Sequence, residues 1–209
     1  MENVKSRPTL RTEQARQTRR RILLAAADVF AEQGFAAARI EDIAERGGVA
    51  VPTIYKAFTN KRNLLVGALN QVLTDADSGA RIDEQSWWTE QLNEPDPTRQ
   101  LQLVARNARR IYERSGALLS VLQTAAPADA ELAEVWNDFE SQRVDRSRRT
   151  ATSIHRKAGE HARGSQRDIA LTLFTLTDPA VFSVFTSQAR TTGEYETWLA
   201  DVLSRAVLG

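Results

Sequence analysis

The chain has 209 residues, of which 42% are apolar and 26% charged, a composition typical of a globular protein of one or two domains. It contains no cysteine, which excludes disulfide bonds, cysteine-based zinc sites and thiol catalysis. No apolar run reaches the ~18 residues that a membrane span needs, and the first residues are polar and basic, so we expect a cytoplasmic protein.

Charge is distributed unevenly along the chain. Residues 1–62 carry 12 Lys or Arg against 7 Asp or Glu, a net charge of +5, whereas residues 63–209 carry 16 against 20, a net charge of −4. We therefore expect two domains with these bounds. A basic domain on an acidic remainder indicates an anionic partner, most often nucleic acid, although a solvated basic surface would have the same balance.

The first predicted helix begins near Thr12 or Glu13, after a basic arm that contains Lys5, Arg7 and Arg11. The arm could reach a minor groove or have no fixed role. Four arginines surround the early turns of the helix: Arg16, Arg19, Arg20 and Arg21. They form either a solvated face or, in the interpretation that we favour, a face with at least one phosphate contact.

Two short helices with a glycine-containing turn between them are predicted over residues 40–58, after Gly34 ends the first helix. This is the layout of a helix-turn-helix. Small Ala44 lets the two helices cross closely, Gly48 supplies the tight turn, and Ile54 fills the angle between the helices. A purely structural helical corner is the alternative.

The face of residues 51–57 that points away from this packing is free to enter a major groove. Thr53, Tyr55 and Lys56 carry types of side chain that commonly contact phosphates or bases in protein–DNA complexes. Lys61, at the start of the next helix, is placed to bind a phosphate. The predicted DNA-contacting residues are Arg39, Val51, Pro52, Thr53, Tyr55, Lys56 and Lys61.

The remainder of the chain is also predicted to be helical. Residues 75–97 are weakly periodic and read as a loop or frayed helix. After this segment, helices are predicted at about 97–112 and 118–122, followed by an arginine-rich helix from Leu132 to Gly164. An apolar run at 169–185 contains a kink or a fresh helix start at Asp178-Pro179, and a last helix covers 195–207. The sequence thus predicts an all-α fold of about nine helices, with no strand pattern and no internal repeat.

A cluster of basic residues extends from Arg143 to Lys157. We favour a charged helix face, paired with neighbouring acidic residues: Asp138, Glu140 and Asp145. The alternative is a site for an acidic ligand. His155 and His161 are six residues apart and do not share a helical face, so no metal site is expected, nor any cofactor.

Aromatic residues are frequent between residues 87 and 185. Any single one is most simply explained as core, but together they indicate a ligand pocket whose occupant is apolar or aromatic and needs few polar anchors. The predicted wall residues are Trp87 (or its neighbour Trp88), Tyr112, Trp136, Phe139, Phe174 and Phe182.

The N-terminal spacing resembles that of the TetR/AcrR family of bacterial transcriptional regulators. The resemblance covers about residues 15–66 and lies in these segments: Ile22–Phe30, Gly34-Phe35, Ile40–Ala44, Gly48-Val49, Thr53–Phe58, Asn60-Lys61 and Leu64-Leu65. A weaker similarity continues at Leu176–Pro179 and Tyr195–Leu199, and residues 75–165 match no pattern. The chain departs from the family pattern at Ala38, Arg39, Ala50 and Ala57, where hydroxyl or aromatic side chains are common.

The resemblance implies a homodimer with one recognition helix in each subunit, bound to palindromic double-stranded DNA. It also implies a C-terminal pocket whose small-molecule ligand releases the DNA, so a repressor is expected. The helices at 166–188 and 194–207 would form the dimer interface through the following apolar residues: Phe185, Tyr195, Trp198, Leu199, Val202 and Leu203. An activator or a ligand-independent regulator would have the same fold. An enzyme or carrier is remote, because the sequence shows no nucleophile–base pair, metal cluster or phosphate loop.

Overall fold

The computed structural model describes residues 10–74 and 82–209, and these residues are all-α, as the sequence predicts. The helices are α1 (Leu10–Ala37), α2 (Ile40–Gly47), α3 (Val51–Phe58), α4 (Lys61–Thr74), α5 (Ser86–Asn93), α6 (Pro97–Ala125), α7 (Ala130–Ala158), α8 (Gln166–Leu176), α9 (Pro179–Ser187) and α10 (Thr192–Val207). Lys5 and Arg7 of the predicted basic arm lie outside the described residues. The chain divides into two compact units, residues 1–71 and 72–209.

The first unit is built on the buried stripe of α1. Ile22, Ala26 and Phe30 recur at helical spacing and are fully buried, which explains why this segment is both helical and anchored. Gly34 has a φ of 75°, so the regular helix ends there, as predicted, and one further turn follows.

Helix α4 packs tightly into the first unit. Leu64, Leu65 and Ala68 are fully buried. A Cβ atom on Gly67 would lie 2.9 Å from Cδ2 of Leu23, which shows how closely α4 approaches α1. The compact unit accordingly extends to residue 71, whereas the boundary expected from the sequence is at residue 62.

The second unit contains two 29-residue helices, α6 and α7. The two helices predicted at 97–112 and 118–122 are one continuous helix, α6, with no interruption between them. Gly116 is buried against Phe182, and the Ser115 hydroxyl donates to the Ile111 carbonyl at 2.8 Å, so tertiary packing and a local hydrogen bond carry the helix through. For the same reason residues 86–93, predicted as a loop or frayed helix, form α5, whose Trp88 is buried. The described residues therefore contain ten α-helices, where about nine were predicted.

Side-chain caps set several helix starts in the second unit. Asp96 and Asp178 accept backbone hydrogen bonds at the starts of α6 and α9, each followed by proline, as the sequence predicts. The end of α7 was predicted wrongly at Gly164. The helix ends at Ala158, because Gly159 takes a positive φ of 55° there, and Gly164 instead precedes the Ser165 cap of α8.

The apolar stripe of α10 faces inward. Tyr195, Leu199 and Leu203 are fully buried within one chain, where α10 packs against α6, so they belong to its core and offer no surface to a second copy. The dimer interface itself stays a prediction. The regular stripe reflects core packing. The other three predicted interface residues are partly exposed: Phe185, Trp198 and Val202.

No single described helix is both long and apolar enough to cross a membrane, although α8 and α9, bent by 45° at their junction, meet that criterion as a pair.

Candidate nucleic-acid interface and ligand cavity

A glycine turn joins α2 to α3. Gly48 adopts the left-handed conformation (φ 61°, ψ 42°), and its N–H donates to the Glu45 carbonyl at 3.1 Å. The Val49 N–H reaches the Ala44 carbonyl at 3.0 Å, so two end carbonyls of α2 are satisfied within the turn. With Ile43 and Ile54 buried on either side of it, the turn fixes the angle between the two helices.

Helix α3 buries one face and presents the other to solvent. Ile54 and Phe58 are buried, whereas Tyr55 is 51% exposed and both Pro52 and Lys56 are exposed. Lys56 makes no hydrogen bond or ion pair with another described residue. The exposed face therefore offers a phenol and an uncompensated cation.

The other predicted contact residues flank this face. Val51 and Thr53 are half-buried on the first turn of α3, and Arg39 is exposed at the start of α2, 3.6 Å from the Glu41 carboxylate. Neither Arg39 nor Ala50 caps its helix through a side chain, in agreement with the sequence. The first turn of α3 contains no acidic residue, so its partial positive charge is not offset there, whereas Glu41 and Asp42 occupy the first turn of α2.

Lys61 is engaged inside the first unit. Its Nζ donates to the Ala36 carbonyl at 3.1 Å and lies 5.0 Å from the centre of the Phe35 ring. Burial lowers the pKa of Lys61. Lys61 therefore links the start of α4 to the end of α1. This structural role was not predicted from the sequence, which indicated only a phosphate contact.

The arginines of α1 are not equivalent. Arg19 donates to the Ala57 carbonyl at 3.0 Å and stacks 4.2 Å from the centre of the Phe58 ring, so it supports the end of α3. Arg16 pairs with Glu13 at 3.0 Å. Arg20 and Arg21 are exposed and form no ion pair with another described residue, which leaves them available to an anion.

An open cavity of about 70 Å³ lies in the second unit. Its apolar wall comes from η1 (Ile82–Glu84), α5, α6, α7 and α8 and includes Ile82, Trp87, Val104, Ile111, Phe139 and Leu173. A concave site with an aromatic lining and a few polar groups is typical of sites that bind small organic molecules.

Three of the six predicted wall residues line this cavity: Trp87, Tyr112 and Phe139. The others lie elsewhere in the second unit. Trp136 packs on Phe139 with ring centres 5.6 Å apart, Phe174 lies 4.4 Å from the Arg143 guanidinium, and Phe182 packs against Tyr112 and Tyr195.

Buried amides form one polar part of the cavity lining. Asn107 Nδ2 donates to Gln91 Oε1 at 2.9 Å, and Gln91 Nε2 donates to Thr150 Oγ1 at 3.3 Å. Trp88 also lines the cavity. Its Nε1 is buried without a hydrogen-bond partner among the described residues.

Arg143 forms a second polar part. It pairs with Glu140, as predicted, but it is buried and does not lie on a charged surface face. It is only 4% exposed, because its guanidinium is held by two carboxylates, Glu140 at 2.7 Å and Asp178 at 3.0 Å, and by the Phe174 carbonyl at 2.8 Å. Arg148, by contrast, is exposed and pairs with Asp145. The predicted basic cluster therefore contains one buried hub beside solvated members.

Tyr112 completes this part of the cavity. Its hydroxyl donates to the Thr177 carbonyl at 2.6 Å, and burial raises its pKa, so it is a neutral phenol at physiological pH. The hydroxyl is held at the junction of α8 and α9, where Arg143 also binds.

Sequence reasoning missed the polar lining residues, although a signal was present. Asn107 lies within the apolar spacing of Val104 and Ile111, and Arg143 follows Phe139 by four residues on the apolar stripe of α7. A polar side chain in an apolar stripe indicates a buried partner or ligand. Within the described residues no group of three acidic or histidine side chains could hold a metal ion.

Comparison with known proteins agrees with this geometry. Residues 22–68 match the sequence model of "Bacterial regulatory proteins, tetR family". Over 65 residues the chain is 35% identical to the HTH-type transcriptional activator FasR of Mycolicibacterium smegmatis, covering 31% of this chain and 30% of FasR. Over 75 residues it is 37% identical to the HTH-type transcriptional repressor KstR of the same organism, covering 36% and 37%. The matches thus span about a third of these relatives' length.

The fold is similar over nearly the whole chain to that of NalD, the secondary repressor of the MexAB-OprM multidrug efflux pump in Pseudomonas aeruginosa. The TM-score is 0.70 at 23% identity, covering 94% of this chain and 98% of NalD.

Proposed function

Because the chain belongs, through residues 22–68, to the TetR family of bacterial regulatory proteins, we propose that it is a DNA-binding transcriptional regulator and not an enzyme. The observation that carries the proposal is the exposed face of α3, held by a glycine turn and presenting Tyr55 and Lys56. Such a helix is inserted into the major groove in helix-turn-helix proteins. Since a regulator acts where the chromosome lies, we place the protein in the cytoplasm.

A homodimer on a palindromic operator is part of the proposal. Two recognition helices on a two-fold axis would read half-sites about 34–36 Å apart, or a multiple of that spacing. The support within this chain is a set of apolar side chains that stay exposed on the second unit. Leu171 is 63% and Val184 65% exposed. Phe185, next to Val184, and Trp198 are partly exposed, and their ring centres lie 5.2 Å apart. Such residues on a regulator are expected to be covered by a second copy.

We propose that a small molecule in the cavity of the second unit controls DNA affinity. The protein would exist in two states, and the ligand would shift the balance only by the difference between its affinities for them. Arg143 supports a route for this shift, since it both lines the cavity and binds the α8–α9 junction. A ligand that displaces Tyr112 or Arg143 would therefore change the position of α8 and α9.

The sign of regulation is proposed to be repression, with release of DNA when the effector binds. KstR and NalD are both repressors by name. Activation is the alternative that the similarity to the activator FasR supports. A reporter fused to the bound promoter distinguishes them, because deletion of the regulator raises expression under repression and lowers it under activation.

The DNA-binding proposal is tested by fluorescence anisotropy on DNA flanking the regulator's own gene, at 150 mM salt with excess competitor. Tyr55→Ala is expected to weaken specific binding by about tenfold or more, since a base or phosphate contact contributes on the order of 1–3 kcal/mol. Arg148→Ala is the matched control, an exposed residue on α7. Equal affinity of wild type and Tyr55→Ala would refute α3 as the reading helix.

A further inference from the structure

We infer that Arg19 is a positioning residue for DNA recognition: it holds the last turn of α3 in place and so sets sequence specificity without itself touching the DNA. This inference rests on the proposed function, because it concerns the helix that would read the operator. The observations that carry it are the hydrogen bond from Arg19 to the Ala57 carbonyl and the stacking of its guanidinium on Phe58.

The position of Arg19 on α1 explains why it reaches α3. It lies one turn before Ile22 and Leu23, which are buried, and two turns before Ala26, which is fully buried. Residues three and four apart share a helical face. Arg19, although exposed, therefore continues the buried stripe of α1 at its N-terminal end, and its long side chain lies against the end of α3.

The two ends of α3 have few restraints of their own. The helix has eight residues, about two turns, and Ala50 provides no side-chain cap at its start. At its end Thr59 takes a φ of 53°, in the left-handed region that favours glycine and is unfavourable for a β-branched residue. The geometry of the last turn therefore depends on contacts with other helices.

Arg19 provides two such contacts. Its Nη1 donates to the Ala57 carbonyl at 3.0 Å, and so satisfies one of the four carbonyls that the end of a helix leaves unpaired. Its guanidinium carbon lies 4.2 Å from the centre of the Phe58 ring, a cation–π geometry. A Cβ atom on Gly67 would lie 3.4 Å from Cε1 of Phe58, so α4 packs against this ring as well.

The side chains proposed to contact DNA belong to the same turn. Residues 55–58 form the last turn of α3, and Tyr55 and Lys56 are exposed there. A shift of Ala57 or Phe58 would therefore move the reading side chains. Hydrogen bonds to base edges weaken steeply with distance and angle, whereas attraction to phosphates is long-range. Loss of Arg19 should accordingly reduce specific binding more than non-specific binding.

The first unit also offers a conservative variant and a matched control. Lys61 makes the equivalent pair of contacts at the end of α1, to the Ala36 carbonyl and the Phe35 ring, so a lysine can replace the arginine in this arrangement. Arg20 is the neighbouring exposed cation and makes no hydrogen bond or ion pair with another described residue. Arg19→Lys is therefore the conservative variant and Arg20→Met the control for the loss of one charge.

The test compares two DNA duplexes of equal length by fluorescence anisotropy at several salt concentrations: the fragment that flanks the protein's own gene and an unrelated sequence. The measured quantity is the ratio of the two affinities. Partial unfolding does not change this ratio, because it lowers both affinities by the same factor. A purely structural role of Arg19 would therefore leave the ratio unchanged.

We expect Arg19→Met to lower the ratio by about fivefold, the effect of one lost hydrogen bond, with little change in the slope of log affinity against log salt. Arg19→Lys should keep the ratio within about twofold of wild type. Arg20→Met should change both affinities by the same factor. In a Tyr55→Ala background, Arg19→Met should lower the ratio less than in the wild type, because the two residues act through one turn.

A wild-type ratio in Arg19→Met would overturn the inference. An equal fall in both affinities, with a salt slope reduced by about one, would also overturn it, since that is the behaviour of a phosphate contact. Fully additive effects of Arg19→Met and Tyr55→Ala would contradict the coupling through α3.

Failure of the inference is distinguishable from failure of the proposed function. If the wild-type protein binds both duplexes equally, the proposed regulator is refuted and the inference with it. If the wild type prefers its own fragment and Arg19→Met keeps that preference, only the inference fails.

Discussion

Basic side chains of the first unit serve two different purposes, and only the structure separates them. Lys56 is exposed and makes no hydrogen bond or ion pair with another described residue, whereas Lys61 donates to the Ala36 carbonyl and Arg19 donates to the Ala57 carbonyl. All three satisfy the same sequence criterion, a cation near a predicted recognition helix. The contacts show which of them are committed to the fold and which remains for a partner.

This difference predicts that the same substitution affects protein stability at one lysine and DNA binding at the other. Lys61→Met should lower the free energy of unfolding by about 1 kcal/mol, because a hydrogen bond from a charged donor is lost. Lys56→Met should change it by less than about 0.5 kcal/mol, as surface substitutions usually do, while reducing the salt dependence of DNA binding by about one phosphate contact. Urea denaturation and anisotropy at several salt concentrations measure both.

The prediction fails if Lys56→Met destabilises the protein as much as Lys61→Met. It also fails if Lys56→Met leaves the slope of log affinity against log salt unchanged.

At the scale of helices and turns, some elements are determined by interactions between residues close in sequence, and others by tertiary packing. The α2–turn–α3 unit was predictable, because Gly48, Ala44 and Ile54 act within a few residues of one another. The course of α6 through Gly116 was not, since it depends on Phe182, which is distant in sequence. Helix α5 was not clearly predicted, because its apolar periodicity is weak and the helix is stabilised by burial of Trp88 against other parts of the chain.

The turn before α3 yields a stability prediction. Gly48→Ala should lower the free energy of unfolding by about 1–2 kcal/mol, because a Cβ atom is disfavoured in the left-handed region. A Cβ there would meet nothing within 4 Å, so the effect would come from backbone conformation alone. Gly48→Asn should be milder, since asparagine tolerates this conformation. Equal loss in both variants, measured by thermal denaturation, would contradict this explanation.

The start of α10 yields a pH prediction. The Glu194 carboxylate accepts from the Thr191 backbone N–H at 2.8 Å and from Arg190 and the Thr191 hydroxyl, and these hydrogen bonds hold its pKa below the ordinary value. A carboxylate with a lowered folded-state pKa stabilises the fold above its unfolded pKa, and the effect is lost as the pH falls through the folded value.

The stability difference between wild type and Glu194→Gln should therefore be largest near neutral pH and shrink as the pH falls through and below the ordinary pKa of a glutamate, where the carboxylate becomes protonated. Urea denaturation over this range measures it. A difference that stays constant or grows toward acid would show that the charge of Glu194 does not stabilise the cap.

At the scale of the whole molecule, the sequence predicted a basic N-terminal domain and a C-terminal domain with a ligand pocket. The structure identifies the residues that line a cavity in the second unit. The N-terminal unit and its family were recognisable because the helix-turn-helix depends on closely spaced residues. The cavity was only partly predictable. Trp87, Tyr112 and Phe139 line it, but Trp136, Phe174 and Phe182 have the same helical spacing and lie outside it. Aromatic spacing alone cannot separate a cavity wall from core.

Residue spacing was also insufficient to interpret the apolar stripe of α10. Tyr195, Leu199 and Leu203 form the most regular apolar pattern of the chain, and that regularity reflects burial against α6. The apolar side chains that stay exposed in the second unit form a less regular set, which includes Leu171, Val184 and the partly exposed Trp198. Which apolar face is already covered depends on long-range packing, and spacing along one helix does not contain that information.

The most direct test of the account is a DNase protection experiment on the DNA flanking the protein's own gene, at 150 mM salt with excess unrelated DNA. The account predicts a saturable footprint over a palindrome whose half-sites are one helical turn or a multiple of it apart, lost in Tyr55→Ala and retained in Arg148→Ala. Binding that is sequence-blind and disappears with rising salt, or that is unaffected by Tyr55→Ala, would contradict it.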